Sequence, residues 1–220
     1  DRELLKEKYP DIHDDILPMW IADMDFKVAP EIIEEFDKIV SNGAFGYTSV
    51  KTDFAKAIKS WYKRRQQISI KEEWIRLTYG TVATIHNLYQ AFCQPNESVL
   101  IFTPVYDPFR YAAENNGLKL IYNFLKNIDN YYYIDFDELE LQIKVEKPKI
   151  LLLCSPHNPS GRIWTIKELN KIAYLCKKYD VLLISDEVHG EITFDKPFDT
   201  ALKLNETYYD NLIVLSSPNK

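Results

Sequence analysis

The sequence has few cysteines and no excess of positive charge. Its three cysteines, Cys93, Cys154 and Cys176, are far apart and form no CxxC pair. An odd number of separated cysteines argues against a disulfide framework and against a structural zinc site, so a reduced, cytoplasmic setting fits best. With 27 basic and 33 acidic residues, the net charge is −6. The basic surplus that nucleic-acid binding requires is absent, and nucleic acid is not an expected partner.

Long apolar runs and glycine-rich segments are also absent. No apolar stretch approaches the roughly 20 residues of a membrane-spanning helix, and the first residues, DRELLKEKYP, are too polar for a signal-peptide core. We therefore expect no membrane association. The six glycines form no G-x-G-x-x-G motif, which weakens the alternative of a generic nucleotide-binding α/β domain.

The composition is that of a globular chain, with 46% hydrophobic and 27% charged residues, and its length corresponds to about one and a half domains. Short apolar stretches predict five strands, at residues 98–102, 118–124, 150–154, 181–185 and 212–215. Three of these stretches contain the runs VLIF, ILLLC and VLLIS. Runs without polar positions are typical of parallel strands that helices cover on both faces.

Amphipathic stretches predict four helices, at residues 30–40, 52–64, 81–93 and 165–179. Thr165 and Glu168 have the spacing of a capping box, which marks the start of the last helix. The alternation of strands and helices predicts an α/β fold built from parallel β-α-β units. The first thirty residues lack this alternation and are predicted to form an arm packed on the body.

Residues whose side chains could bind a ligand or take part in catalysis follow the predicted strands. Ligands of open parallel sheets bind beyond the carboxyl ends of the strands. Four residues are found there: Tyr106, Asn158, Asp186 and Lys220. Each alone has an ordinary explanation: Tyr106 as a residue that lines a cleft, Asn158 as a turn residue, Asp186 as a cap and Lys220 as a surface lysine. His189 lies near acidic residues, but no HExxH-type spacing supports a metal site, and none is expected.

Together these residues suit one cofactor, pyridoxal phosphate. That cofactor needs a lysine amine for its Schiff base, which Lys220 offers. It needs a carboxylate, here Asp186, to keep the pyridine nitrogen protonated so that the ring acts as an electron sink. Asn158 offers a donor to the ring oxygen, and Tyr106 offers a stacking face.

A phosphate group would also need a binding site, and the sequence offers one. A glycine turn at Gly80 leads into the predicted helix that begins with Thr81 and Val82, and helix N-termini bind phosphate. The hydroxyl of Ser217, three residues before Lys220, is a further candidate ligand. The sequence therefore predicts a complete set of pyridoxal-phosphate ligands.

Several ordered motifs make the chain resemble the fold-type-I pyridoxal-phosphate enzymes of the class I/II aminotransferase superfamily. Within that superfamily it is most similar to the C–S β-lyases of the cystathionine β-lyase and maltose-regulon-modulator group. The motifs are LPMWIADMDF at 17–26, FGY at 45–47, PVYDPF at 104–109, HNPSGR at 157–162 and SDEVH at 185–189. The first stretch and PHNPSGRIWT are the specific ones, because general aminotransferases share only the N-P-x-G and D-E cores.

The resemblance implies a three-layer α/β/α fold with a mostly parallel central sheet. Residues 1–35 would form an arm that belongs to a small domain, and residues 36–220 would form a large cofactor-binding domain that is incomplete at its C-terminus. The family continues past its lysine with an arginine that binds the substrate carboxylate. The sequence ends at Lys220, directly after a predicted strand, and we expect it to be a fragment.

The resemblance also implies the roles of individual residues. Lys220 would be the Schiff-base lysine and acid/base, Asp186 the partner of the pyridine nitrogen, and Tyr106 the stacking residue. Asn158 would bond the ring oxygen and, with Ala22, the substrate carboxylate. The remaining cofactor ligands would be Thr81, Val82, Ser217 and His189, together with Tyr47 from the partner subunit of a homodimer with shared sites.

The implied reaction is β-elimination of cystathionine, cysteine or S-substituted cysteines to a thiol, pyruvate and ammonia. Two alternatives remain open. The first is a class I/II aminotransferase on the same scaffold, which an exchange assay would distinguish. The second is a regulatory protein that sequesters a transcription activator, which a pull-down of partners would reveal.

Overall fold

The computed structural model describes residues 2–13, 15, 26–47, 49–50, 52–194 and 196–218. The chain divides into two compact units, Asp1–Ser49 and Val50–Lys220. The first unit contains α1 (Arg2–Lys8) and α2 (Pro30–Asn42). Helix α2 begins with a proline in its first turn and ends at Gly43, whose left-handed backbone donates to the carbonyl of Val40. This start and stop are those expected of a helix bounded by proline and glycine.

The second unit is built on a five-stranded parallel sheet in the order β2-β1-β5-β6-β7. Its strands are β1 (Ser98–Thr103), β2 (Lys119–Phe124), β5 (Ile150–Cys154), β6 (Leu182–Asp186) and β7 (Leu212–Leu215). A separate antiparallel hairpin consists of β3 (Lys126–Ile128) and β4 (Tyr131–Tyr133). The helices of this unit are α3 (Thr52–Gln66), α4 (Thr81–Phe92), α5 (Pro108–Asn115), α6 (Phe136–Glu146) and α7 (Ile166–Lys178), with short 3₁₀ helices at Glu72–Trp74, Ala201–Lys203 and Glu206–Asn211.

Helices cover both faces of this sheet. Alternate residues of each strand point to opposite faces, so β1 sends Leu100 to one buried cluster and Ile101 to the other. The first cluster includes residues of α6 and α7, and the second includes residues of α4 and α5. The predicted three-layer α/β/α architecture is confirmed, and the apolar runs are explained by burial on both sides.

The predicted elements agree closely with the observed ones. The five strands lie within one residue of their predicted ends, and the four helices begin at or next to their predicted first residue. The capping box is present, because the Thr165 hydroxyl accepts from the backbone N–H of Glu168 while the Glu168 carboxylate accepts from that of Thr165. Helices α1, α5 and α6 and the hairpin were not predicted. Within the described ranges, no helix combines the length and apolar character needed to cross a bilayer.

The strand register places the central strand ends at one level. Cys154 of β5 pairs with Asp186 of β6, and Asp186 pairs with Leu215 of β7. The loops that follow these strands therefore leave the same edge of the sheet, which we call the carboxyl edge.

Candidate active site

The carboxyl edge brings together residues that lie far apart in the sequence. Asp186 is the last residue of β6, and Ser217 follows β7 by two residues. Asn158 and Tyr106 lie on the loops after β5 and β1. Of the four residues predicted to follow strands at this edge, Tyr106, Asn158 and Asp186 are found there. The fourth, Lys220, lies outside the described residues.

Asp186 is a buried carboxylate with little local compensation. Its side chain is 4% exposed and accepts a hydrogen bond from the backbone N–H of Val188 at 3.2 Å. Burial raises the pKa of Asp186 to about 6, and the bond from Val188 opposes that rise. A cationic group beside this carboxylate would stabilise its ionised form.

Glu187, the next residue, is equally buried but has several donors. It accepts from the Ser185 hydroxyl at 3.0 Å and from the backbone N–H of Ala201 at 2.7 Å, and the side chain of Thr200 also hydrogen-bonds to it. Burial nevertheless raises the pKa of Glu187 to about 7. Glu187 ties β6 to the segment around residue 200. No role was assigned to Glu187 from the sequence, in which its position beside Asp186 was the available signal.

The loop after β5 holds Asn158 between two structural anchors. On one side, the buried thiol of Cys154 accepts from the backbone N–H of Asn158 at 3.3 Å and donates to the carbonyl of Pro156 at 3.2 Å. Burial raises the pKa of Cys154 to about 12, so it stays a protonated thiol at neutral pH. On the other side, the backbone N–H of His157 donates to the carbonyl of Arg162 at 2.7 Å. These bonds fix the backbone around Asn158, whose side chain is half-buried.

The start of α4 has the features of an anion site. Gly80 precedes Thr81 with φ of +93° and provides no side-chain cap for the helix. The first N–H groups of a helix have no partner within the helix, and they carry the positive end of its dipole. The Thr84 hydroxyl donates to Thr78 at 2.7 Å and so braces this turn. The backbone at Thr81 and Val82 can therefore hold a phosphate without a basic side chain.

Tyr106, Ser217 and His189 complete the described part of the predicted site. Tyr106 is 42% exposed, and its ring packs edge-to-face on Phe109, with 5.9 Å between ring centres. Ser217 lines a small cavity of about 20 Å³ together with Glu187 and Tyr62. His189 is half-buried in the turn after β6. Within the described ranges, no three His, Cys, Asp or Glu side chains are grouped as metal ligands would be.

Three predicted residues have no described position in this site. Ala22 and Lys220 lie outside the described residues. Tyr47 belongs to the first unit, where its side chain is exposed.

Comparison with known proteins identifies relatives over nearly the whole chain. The sequence model of aminotransferase class I and II matches residues 14–220. The cystathionine beta-lyase PatB of Bacillus subtilis (strain 168) is 33% identical over 94% of this chain and 54% of the relative. Protein MalY of Escherichia coli (strain K12) is 35% identical over 82% of this chain and 46% of the relative. The chain spans about half the length of the curated relatives it matches.

Solved structures with the same fold agree with these relatives. Cystalysin from Treponema denticola, whose crystal structure contains pyridoxal 5′-phosphate, superposes with a TM-score of 0.92 at 37% identity, covering 98% of this chain and 55% of that one. The pyridoxal-phosphate-bound C–S lyase from Staphylococcus hominis superposes with a TM-score of 0.85 at 32% identity, covering 90% of this chain and 51% of that one.

Proposed function

Because the chain belongs to the class I and II aminotransferase family, we propose that it is part of a pyridoxal-phosphate-dependent C–S β-lyase. The substrates would be cystathionine, cysteine or related S-substituted cysteines, and the products a thiol, pyruvate and ammonia. The relatives named cystathionine beta-lyase and C–S lyase support this choice within the family. We further propose a cytoplasmic homodimer with shared sites, to which Tyr47 of each subunit contributes at the other's phosphate.

The observation that carries the proposal is the buried, weakly compensated carboxylate of Asp186 at the carboxyl edge. A carboxylate in this environment favours a cation as its neighbour, and the protonated pyridine nitrogen of pyridoxal phosphate is such a cation. The uncapped start of α4 suits the phosphate at the other end of the same molecule. The residues present therefore fit the cofactor at both of its charged ends.

The other site residues would share the remaining tasks. Thr81, Val82 and Ser217 would hold the phosphate, and Tyr106 would cover one face of the ring. His189 would lie beside the ring oxygen. The large domain at 36–220 would supply these ligands, while residues 1–35 would belong to the small domain.

The chain's own groups then provide the acid–base chemistry. When bound, pyridoxal phosphate supplies an electron sink for the charge that is left at the substrate Cα. Lys220 would take the proton from Cα, and Asp186 would hold the proton at the ring nitrogen. Asn158, with the backbone at Ala22, would orient the substrate carboxylate. Loss of the Cα proton permits departure of the β-thiolate, which is a good leaving group.

The experiment is a product analysis with cystathionine as substrate. We expect pyruvate and free thiol to form in equal amounts without an added keto acid. If the aminated cofactor accumulates and turnover requires a keto acid, the protein is an aminotransferase, the alternative that the shared scaffold supports. If the protein binds no pyridoxal phosphate at all, neither activity is possible.

A further inference from the structure

Arg162 is a buried cation between two aromatic rings. Its side chain is 4% exposed, and its guanidinium carbon lies 4.4 Å from the ring centre of Tyr131 and 4.5 Å from that of Trp164. The guanidinium donates to the Tyr131 hydroxyl and to the Glu168 carboxylate. These contacts join three elements: the β3–β4 hairpin, the loop after β5 and the first turn of α7.

A buried charge of this kind needs compensation, which Arg162 has at its two terminal nitrogens. Removing an arginine from water is costly, and the loss is offset by an opposite charge, by hydrogen bonds and by aromatic faces. Glu168 supplies the charge, Tyr131 a hydrogen bond and Tyr131 and Trp164 the faces. Lysine cannot reproduce this arrangement, because its ammonium lacks the flat, multiply donating shape of the guanidinium.

The main chain of Arg162 closes the turn that carries Asn158. The carbonyl of Arg162 accepts from the backbone N–H of His157 at 2.7 Å, and the carbonyl of His157 accepts from Gly161 at 2.7 Å. Inside the turn, the His157 Nδ1 atom lies 2.7 Å from the Ser160 hydroxyl. The main chain of Arg162 is thus tied directly to His157, the residue before Asn158.

We propose that Arg162 and Tyr131 are positioning residues for Asn158, and that the β3–β4 hairpin serves to hold the Asn158 turn against the cofactor and substrate. The proposal rests on the function proposed above. Tyr131 lies 31 residues before Arg162 in sequence, and its hydroxyl bond to the guanidinium is the point at which the hairpin acts on the turn. The side chain of Asn158 then presents its amide to the substrate carboxylate and to the ring oxygen.

The test uses Tyr131→Phe and Arg162→Lys, with Tyr133→Phe as the matched control. Tyr133 is in the same strand as Tyr131 and stacks on it, with 4.9 Å between ring centres. Three quantities are measured for each variant: the dissociation constant of pyridoxal phosphate, the pH midpoint of the bound cofactor's visible absorbance, and KM and kcat for cystathionine at saturating cofactor. Each substitution is repeated in an Asn158→Ala background.

We expect both variants to raise KM about fivefold, the effect of losing roughly one well-placed hydrogen bond, and to lower kcat by less. The absorbance midpoint should rise by about half a pH unit, because a displaced Asn158 no longer stabilises the ionised ring oxygen. Tyr133→Phe should change none of these values. In the Asn158→Ala background, the effects of Tyr131→Phe and Arg162→Lys on KM should disappear.

Three results would overturn the positioning role: an unchanged KM and midpoint in Tyr131→Phe, an equal effect of Tyr133→Phe, or effects that persist in the Asn158→Ala background. A loss of kcat alone, with KM and midpoint unchanged, would show a merely structural role and also overturn it. If Arg162→Lys does not fold, Tyr131→Phe decides. A wild-type protein that binds no pyridoxal phosphate would overturn the proposed function itself, and this inference with it.

Discussion

The two edges of the parallel sheet are built in opposite ways. We call the edge at which the strands begin the amino edge. There, each of the helices α4 to α7 is joined to the following strand by a tight turn that contains one residue with left-handed backbone. These residues are Asn96, Gly117, Lys147 and Asp180. The turns are closed by backbone bonds, such as those from Leu118 to Ala113 at 3.0 Å and from Val181 to Cys176 at 2.8 Å. The backbone of these turns is therefore hydrogen-bonded to residues a few positions away in the sequence.

The carboxyl edge leaves buried polar groups without partners. Among the described residues, these include Thr103 Oγ1, Ser155 Oγ, His157 Nε2 and Arg162 Nε, and Asp186 is a buried carboxylate besides. Buried polar atoms are nearly always paired in native proteins. The difference indicates that the amino edge is built for stability and the carboxyl edge for binding, at some expense in stability.

The largest expected effect is at Lys220, which follows β7 in sequence by five residues. Lys220→Ala should abolish turnover and the absorbance of covalently bound cofactor, because no other amine is proposed to take the Cα proton. Product assays and visible spectra measure both, and a circular-dichroism spectrum checks folding. Full activity in this variant would contradict the proposal that the catalytic groups lie at the carboxyl edge.

Asp186→Asn should fold but lose activity by about 10²-fold or more, since an amide does not stabilise the charge of a protonated ring nitrogen. Glu187→Gln provides a comparison, because its several donors indicate an anchoring role and a smaller loss of activity per folded molecule. Steady-state rates and urea unfolding of both variants separate the two roles. A near-wild-type rate for Asp186→Asn would mean that Asp186 only caps its turn.

The pH dependence of stability should also distinguish the carboxyl edge. Burial raises the pKa of Asp186 from 3.8 to about 6 and that of Glu187 from 4.5 to about 7. Between about pH 4 and 7 the native state then binds more protons than the unfolded state. These two groups therefore lower the free energy of unfolding as pH rises, by at most about 1.4 kcal/mol per pH unit for each.

Urea unfolding of the cofactor-free protein at several pH values measures this contribution. Asp186→Asn should lose stability less steeply than wild type as the pH rises through 4 to 6. Asp199→Asn, at a more exposed carboxylate that pairs with Lys203, is a control for loss of one acidic group. Parallel curves for wild type and Asp186→Asn would contradict the predicted protonation of Asp186.

At the amino edge, Gly117→Ala should reduce stability by about 1 kcal/mol and leave kcat/KM per folded molecule unchanged. Gly117 has φ of +66°, and no atom lies within 4 Å of the added Cβ. The expected loss of stability therefore comes from the backbone alone, because a residue with a Cβ atom adopts left-handed φ at a steric cost. Chemical denaturation measures it. A large drop in kcat/KM would contradict the conclusion that this edge contributes to stability and not to binding.

The smallest effect is the reverse change at the same edge. Lys147 ends α6 with φ of +48°, and Lys147→Gly should stabilise the protein by about 0.5 kcal/mol, because glycine adopts this conformation without steric penalty. Differential scanning calorimetry should show a slightly higher Tm. A lower Tm would mean that the lysine side chain itself stabilises the turn.

Local patterns were sufficient to predict the main elements. The runs VLIF, ILLLC and VLLIS predicted the central strands because strands that are buried on both faces are mostly apolar. The spacing of Thr165 and Glu168 predicted a helix start because the capping bonds involve neighbouring residues. Helix α6 was missed although Asp135 caps it, with bonds to the N–H groups of residues 137 and 138. Its residues Leu139, Leu141, Ile143 and Val145 alternate with polar ones as in a strand, and only Leu139 and Ile143 are buried.

The hairpin and the surroundings of Arg162 required the tertiary structure. Strands β3 and β4 have three residues each, too few for a periodic pattern. Trp164 and Glu168 lie near Arg162 in the sequence, but the third partner, Tyr131, is 31 residues away, and only the fold brings it to the guanidinium.

The sequence by itself determined where the five sheet strands and four of the helices lie along the chain, and it identified the residues that follow each strand, because hydrophobic periodicity and capping act over a few residues. Only the tertiary structure decided the environments of those residues. Asp186 and Glu187 are neighbours of the same charge type, yet Glu187 turns toward the Ser185 and Ala201 donors while Asp186 has the Val188 amide. The reason is physical: desolvation and hydrogen bonding depend on which distant segments pack around a side chain, and long-range packing leaves no local trace in the sequence.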